Sequence, residues 1–235
     1  MSLSNSQWKH RSQNRWQQCE VGGCYKPRHQ SSQYCANHAR RQQYYGHAEG
    51  YRIKKKDLAP FLKSVKRFFR KHKEHPAIVE SIKVLDEWLY EGVILASNGG
   101  GKACQELRRL YDSGIRGKDV LEVAGAVWLM SHHLPAMIPD DERLTFALSR
   151  AILQTCPQTE RITGFSSTGE AKRSHNRAGA TVHRVVGQFI RDSIGIVYYR
   201  MFEAMARDTE REKQQRQDRK HRLRMPFVNG TEDGP

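Results

Sequence analysis

No stretch of this 235-residue chain stays apolar for the ~20 residues that a bilayer-spanning helix needs. The longest apolar patches, Val93 to Ala96 and Ala126 to Met130, are the size of core segments. The first eighteen residues are polar and lack the apolar segment of a secretory leader, so the sequence reads as cytoplasmic, with no membrane partner. Acidic residues are few, 25 Asp and Glu against 40 Lys and Arg, which leaves a net charge of +15. That balance disfavours an acidic scaffold and favours a partner rich in phosphate or carboxylate. Hydrophobic residues reach only 37%, yet the length is enough to bury a core in one or two domains. Cysteines number five, an odd count that argues against a disulfide framework in a reducing compartment.

Several catalytic patterns are missing as well. Gly99-Gly100-Gly101-Lys102 leads into Ala103 with no strand before it, so it is not a nucleotide-phosphate loop. The carboxylates do not cluster as a two-metal site would require. Asp140-Asp141-Glu142 reads instead as a helix start, where negative charge is favourable. Cys104 and Cys156 have no histidine nearby in sequence and read as inert core thiols.

The positive charge that is present sits at the two ends. Residues 1–75 carry 17 basic and 4 acidic side chains, residues 76–170 carry 9 and 13, and residues 171–235 carry 14 and 8. This distribution suggests two basic contact regions on a nearly neutral body. The body reads as mostly α. Apolar residues at three- and four-residue steps predict helices over about 57–73, 76–96, 102–112, 119–132 and 140–154, with Asp57 as an N-cap and Pro60 in a first turn. Residues 156–180 read as a long glycine-containing loop, and helical patterning returns from Ala180 although Gly187 and Gly195 weaken it. Residues 207–224 are almost all charged or Gln and fit either a solvated helix or a disordered tail. The domains expected are a mobile segment 1–18, a metal module with a basic extension over 19–56, a helical domain over 57–206 and a charged tail over 207–235.

The strongest chemical signal is Cys19-x4-Cys24-x10-Cys35-x2-His38. Four soft or borderline donors in two closely spaced pairs suit a closed tetrahedral zinc site, which would be structural. Gly22-Gly23 lets the first pair close as a tight turn, and Cys35 and His38 can share one metal from the opening turn of a short helix. His29 and His47 are alternative fourth ligands. With so few apolar residues nearby, this region should depend on Zn2+ to fold.

Cys19-Glu-Val-Gly-Gly-Cys24, Tyr34-Cys35-Ala-Asn-His38-Ala-Arg40-Arg41 and Gly46 together resemble the small zinc-binding modules of bacteriophage proteins, some of which precede HNH endonuclease domains. The resemblance covers about residues 18–50. It implies metal binding and a phage-encoded protein in a host cytoplasm, and it places Arg40 and Arg41 against nucleic acid.

The residues that follow fit that expectation on their own chemistry. Arg40, Arg41, Tyr44, Tyr45, Arg52, Lys54, Lys55 and Lys56 interleave cations, which displace counterions from phosphates, with rings that can stack on bases. Lys172, Arg173 and Arg177 form a possible second patch in the long loop. The basic face expected on the helix 57–73 could follow a phosphate backbone; a membrane surface suits it less, because its apolar face has core partners. The segment Arg108 to Val120 has the cadence of a helix-turn-helix reader, but its second helix is too apolar to expose in a groove, which favours an ordinary helical hairpin.

The reading is a mostly α protein, a helical bundle with a small N-terminal zinc-binding module. It binds nucleic acid, DNA in preference to RNA, without catalysis, in transcription regulation or replication. Two alternatives remain: an HNH-like endonuclease drawing on His132, His133, Asn176 and His183, and an adaptor whose basic surface meets an acidic host protein complex.

Overall fold

The computed structural model describes residues 17–50, 52–156, 160–165, 171–175 and 178–224. Seven helices are present among them: α1 (Ala36–Tyr45), α2 (Lys55–Lys71), α3 (Pro76–Ser97), α4 (Lys102–Asp112), α5 (Gly117–His133), α6 (Asp141–Leu153) and α7 (Ala180–Arg224). The chain is therefore mostly α, as its periodicity indicates. Between α6 and α7, strands β1 (Glu160–Phe165) and β2 (Ala171–His175) pair antiparallel. This hairpin corrects the expected long loop. Its register runs from Glu160 opposite His175 to Phe165 opposite Ala171, with an irregularity between Ile162 and Gly164. The strands escape notice in sequence because they are short and polar and lack a clean two-residue alternation.

The chain divides into two compact units, Met1–Gly195 and Ile196–Pro235. In the first, α5 is the centre. Eleven of its residues are buried, including Val120, Leu121, Val127 and Met130, because α2, α3 and α6 all pack against it. That burial settles the hairpin formed by α4 and α5: α5 is a core helix, not one that can lie in a groove. The apolar face of α2 is likewise covered, with Val65 and Phe69 buried. In the second unit α7 carries exposed side-chain pairs such as Lys213 with Glu210, and Gln214 with Asp218, so the charged stretch is helical, with most side chains over 210–218 exposed.

Two helix starts differ from expectation for one reason. Helix α2 begins at Lys55 and α5 at Gly117. Asp57 and Asp119 are not N-caps but third-position residues, whose carboxylates reach back to accept from the N–H groups of Lys54 (3.1 Å) and Arg116 (3.0 Å). Pro60 consequently falls in the second turn of α2. Asp140 does cap α6, accepting from the Arg143 N–H at 2.6 Å.

The start of α7 lies tightly on α6. Gly187 has no room for a side chain, because a Cβ there would collide with the backbone carbonyl of Thr145. The glycine that weakens the helical pattern is thus the residue that lets two helices approach. One turn earlier, His183 is 5% exposed, its Nδ1 lies 3.1 Å from Ser149 Oγ, and its ring sits 6.0 Å from that of Phe146. Burial, reinforced by the Arg150 charge, lowers the His183 pKa to about 4, against a weak opposing hydrogen bond at Ala178.

The folded chain therefore holds this imidazole neutral while the unfolded chain protonates it near pH 6.5, so its contribution is complete above that pH and is lost as pH falls toward 4. Urea unfolding should show wild-type stability dropping by about 2 kcal/mol more than that of His183→Gln between pH 7 and pH 5. Equal losses in the two proteins would contradict a buried neutral His183.

Candidate metal centre and the basic cavity beside it

Cys19, Cys24, Cys35 and His38 converge. Their donor atoms all lie within 4.8 Å of one another. Cys19 Sγ is 3.3 Å and Cys35 Sγ 3.6 Å from His38 Nδ1, and Cys24 Sγ is 3.9 Å from Cys35 Sγ. An ion bound tetrahedrally at the usual metal–sulfur and metal–nitrogen distances, about 2.3 and 2.0 Å, has donor–donor edges of about 3.6–3.8 Å. The three short separations match those edges to a few tenths of an ångström, and with no pair beyond 4.8 Å the group can close on one metal ion by shifts of about an ångström or less. All five cysteines are free thiols, so no disulfide competes for these sulfurs.

Local backbone geometry brings the ligands together. Gly23, at φ +73°, turns the chain so that the Cys24 N–H donates to the Val21 carbonyl. The Cys19 N–H donates to Lys26 O, and Gln18 bridges Pro27, which closes a small loop around the first cysteine pair. Gln17 and Gln18 belong to this loop rather than to a mobile leader. Arg28 fastens it, donating to Gln18 O, Gln17 Oε1 and Glu20 Oε1 at 2.7–3.0 Å. Cys35 is the N-cap residue of α1 and His38 is its third residue, as the two-residue gap predicts. The converging group takes His38 as its histidine and contains neither His29 nor His47, and His47 Nδ1 accepts from the Glu49 N–H.

The thiols are poised unequally. Burial pushes Cys19 up, but hydrogen bonds from the Cys35 and Val21 backbone and from His38 outweigh it and leave the pKa below the ordinary value. Burial also raises Cys35, and the N–H groups of His38 and Asn37 at the start of α1 reverse the sign. Cys24 gains from a backbone hydrogen bond at Lys26, yet desolvation and the two neighbouring thiols leave it raised. Three thiols this close cannot all ionise comfortably unless a cation sits among them.

Helix α1 then runs from the centre to the helical body. Its last carbonyls receive guanidinium donors from α6: Arg150 Nη1 to Tyr44 O at 2.9 Å and Arg143 Nη1 to Tyr45 O at 3.0 Å. Cations at a helix C-terminus also complement the macrodipole. The Tyr45 ring lies 4.9 Å from the Arg150 guanidinium and 5.7 Å from that of Arg143. Gly46 ends the helix at φ +73°, and a Cβ there would meet the Phe146 ring at 2.7 Å, so this glycine is required by both conformation and contact.

Beside this junction lies a polar cavity of about 530 Å³. Arg40, Arg41 and Arg52 from the module line it together with Arg109 and Arg150 from the body and one acid, Glu106. Tyr44 and Tyr45 are also in its wall. The expected contact residues are therefore brought together in part. Lys54 and Lys55 instead border a second, mainly apolar cavity of about 340 Å³ between α2, α5 and α6, and Lys56 is exposed on α2. Lys172 and Arg173 lie on β2, and Arg177 lies outside the described residues. Arg109, Arg150 and Glu106 were not among the expected residues. They sit on α4 and α6, about 50–95 residues beyond the 19–56 module. The available signal was Arg143 and Arg150, two cations seven residues apart on a helix that is otherwise largely apolar.

The histidines considered for catalysis occupy different surroundings. His132 and His133 end α5, with the Phe61 ring 6.0 Å from His133. His183 is packed against Ser149, and Asn176 lies outside the described residues. Among the described residues the Cys3His set is the one group with the makings of a metal site.

Purified protein should hold one equivalent of metal by elemental analysis, and Cys19→Ala or Cys35→Ala should lose it, whereas Cys104→Ala should retain it. Retention of a full equivalent by Cys35→Ala would contradict this ligand set. Comparison with protein-family models, with curated proteins and with solved structures gives no match, so the functional reading rests on the geometry of this centre and its neighbouring cavity.

Proposed function

We propose that the protein is a non-catalytic nucleic-acid-binding protein whose Cys3His centre holds structural zinc. A site with three thiolates and one imidazole is closed, leaving no position for substrate or water, and its donors suit zinc. The module is then of the kind found in bacteriophage proteins, and its role lies in transcription regulation or replication. DNA is the favoured partner.

One observation carries this reading: the helix that supplies the His38 ligand also carries Arg40, Arg41 and Tyr44 to a concave face shared with Arg109 and Arg150. Metal binding thereby fixes the position of an anion-attracting surface. Guanidinium groups match phosphate oxygens in geometry as well as charge. Among the described residues no carboxylate pairs with Arg40, Arg41 or Arg52, so these charges remain available to a partner.

A gel-shift titration on single- and double-stranded DNA and RNA tests the reading. Binding should weaken steeply between 50 and 200 mM salt, chelation of the metal should abolish it, and Arg41→Ala should flatten the salt slope by about one. No shift on any nucleic acid at low salt would overturn the proposal. A salt-insensitive complex with an acidic protein would replace it with the adaptor alternative.

A further inference from the structure

We infer that the 340 Å³ cavity between α2, α5 and α6 is a binding site for a small amphipathic carboxylate, an acid with one charged end and a short apolar body. The inference goes beyond nucleic-acid binding and does not rest on it. The cavity lies at the lower end of the ~300–1,000 Å³ that small-molecule sites occupy, and such sites combine an apolar wall with a few polar groups.

The wall is built mainly from aliphatic side chains. Val123 and Ala147 line it and are buried, but Ile53, Leu58, Leu62 and Ile115 line it and are only half-buried. Three residues along α2 from Leu62, Val65 is fully buried. The fold therefore covers the neighbouring apolar face of α2 and leaves aliphatic surface open at this cavity. A ligand with an apolar body would remove that surface from water.

The charges at its border set the other end of the ligand. On α2, Lys55, Leu58, Leu62 and Lys66 follow at steps of three and four residues, so they share one face, with a lysine at each end of two leucines. The two ends differ. Lys66 pairs with the Glu122 carboxylate of α5 at 3.4 Å, and Asp119 accepts from the Arg116 N–H at 3.0 Å, so both acids of the cavity are engaged and neither calls for a cationic ligand. Arg143 and Arg150 reach the cavity from α6 and donate to the carbonyls of Tyr45 and Tyr44. Lys54 and Lys55 border the cavity, are exposed, and have no carboxylate within ion-pair distance among the described residues. A lysine in this position covers apolar surface with its methylene stem and keeps its ammonium in water, where the charged end of an entering acid also stays. An ammonium is a compact point charge and suits a single carboxylate, without the planar fork that arginine offers to phosphate.

The test uses octanoate, octanol and octylammonium as probes on the metal-loaded full chain, by calorimetry and by methyl NMR. Octanoate should bind about tenfold tighter than octanol, the gain expected of one charge-assisted contact, and octylammonium more weakly than either. Octanoate should shift the methyl signals of Ile53, Leu58, Leu62 and Ile115 and leave those of Ile94 and Leu95, exposed on α3, in place. Lys54→Ala/Lys55→Ala, a change at two exposed positions, should reduce octanoate to the affinity of octanol and leave octanol unchanged. Ala151→Phe, which fills the cavity, should block all three probes, and the lysine pair decides the matter if that variant does not fold. No octanoate binding to the wild-type chain, methyl shifts away from the cavity, octylammonium binding as tightly as octanoate, or an unchanged octanoate affinity in the lysine double variant would each overturn the inference. Every readout is taken without nucleic acid, so failure here leaves the nucleic-acid reading where it stood.

Discussion

The convergence of three thiols and one imidazole within 4.8 Å is the constraint on which the N-terminal architecture depends. Residues 19–50 bury few apolar side chains, so hydrophobic burial cannot hold them in shape. Their order comes from a short ladder around Pro27, from the Arg28 clamp and from the four donors. Thiols packed this closely are costly without a cation and strongly stabilising with one. What the centre fixes is the start of α1, because Cys35 and His38 sit in and just before its first turn.

The opposite end of α1 is fixed by different physics. Arg143 and Arg150 approach from α6 and satisfy the last carbonyls of α1, while Gly46 allows the chain to leave against Phe146. Arg143 is 1% exposed, so its charge is stabilised by the carbonyl and aromatic faces of the module and would be costly without them. The short helix is thus held at both ends, by the converging Cys3His donors and by two arginines of α6, of which Arg143 is buried. The cations on the side of α1 acquire a defined place relative to Arg109 and Arg150, and a concave basic site results from parts distant in sequence.

Much of this was legible in the sequence, and the limits are physical. The ligand set could be read because its members lie within twenty residues and their spacing encodes the turns that join them. Helices α2 to α6 could be read because Leu85, Leu89, Val120 and their neighbours recur at the helical period, and a core helix such as α5 betrays itself by being apolar all round. Helix starts were displaced because Asp57 and Asp119 cap backward from the third position, which composition alone does not distinguish from an N-cap. The β1–β2 hairpin stayed hidden because its residues are polar. The body's half of the cavity stayed hidden for another reason: an arginine that docks a distant segment looks the same in sequence as one that faces water.

Zinc K-edge X-ray absorption on the purified full-length protein tests the central claim most directly. The account predicts a single zinc per chain in a four-coordinate shell of three sulfurs and one nitrogen, converted to mixed or incomplete coordination by His38→Ala. A spectrum dominated by oxygen ligands, or one unchanged by His38→Ala, would contradict it.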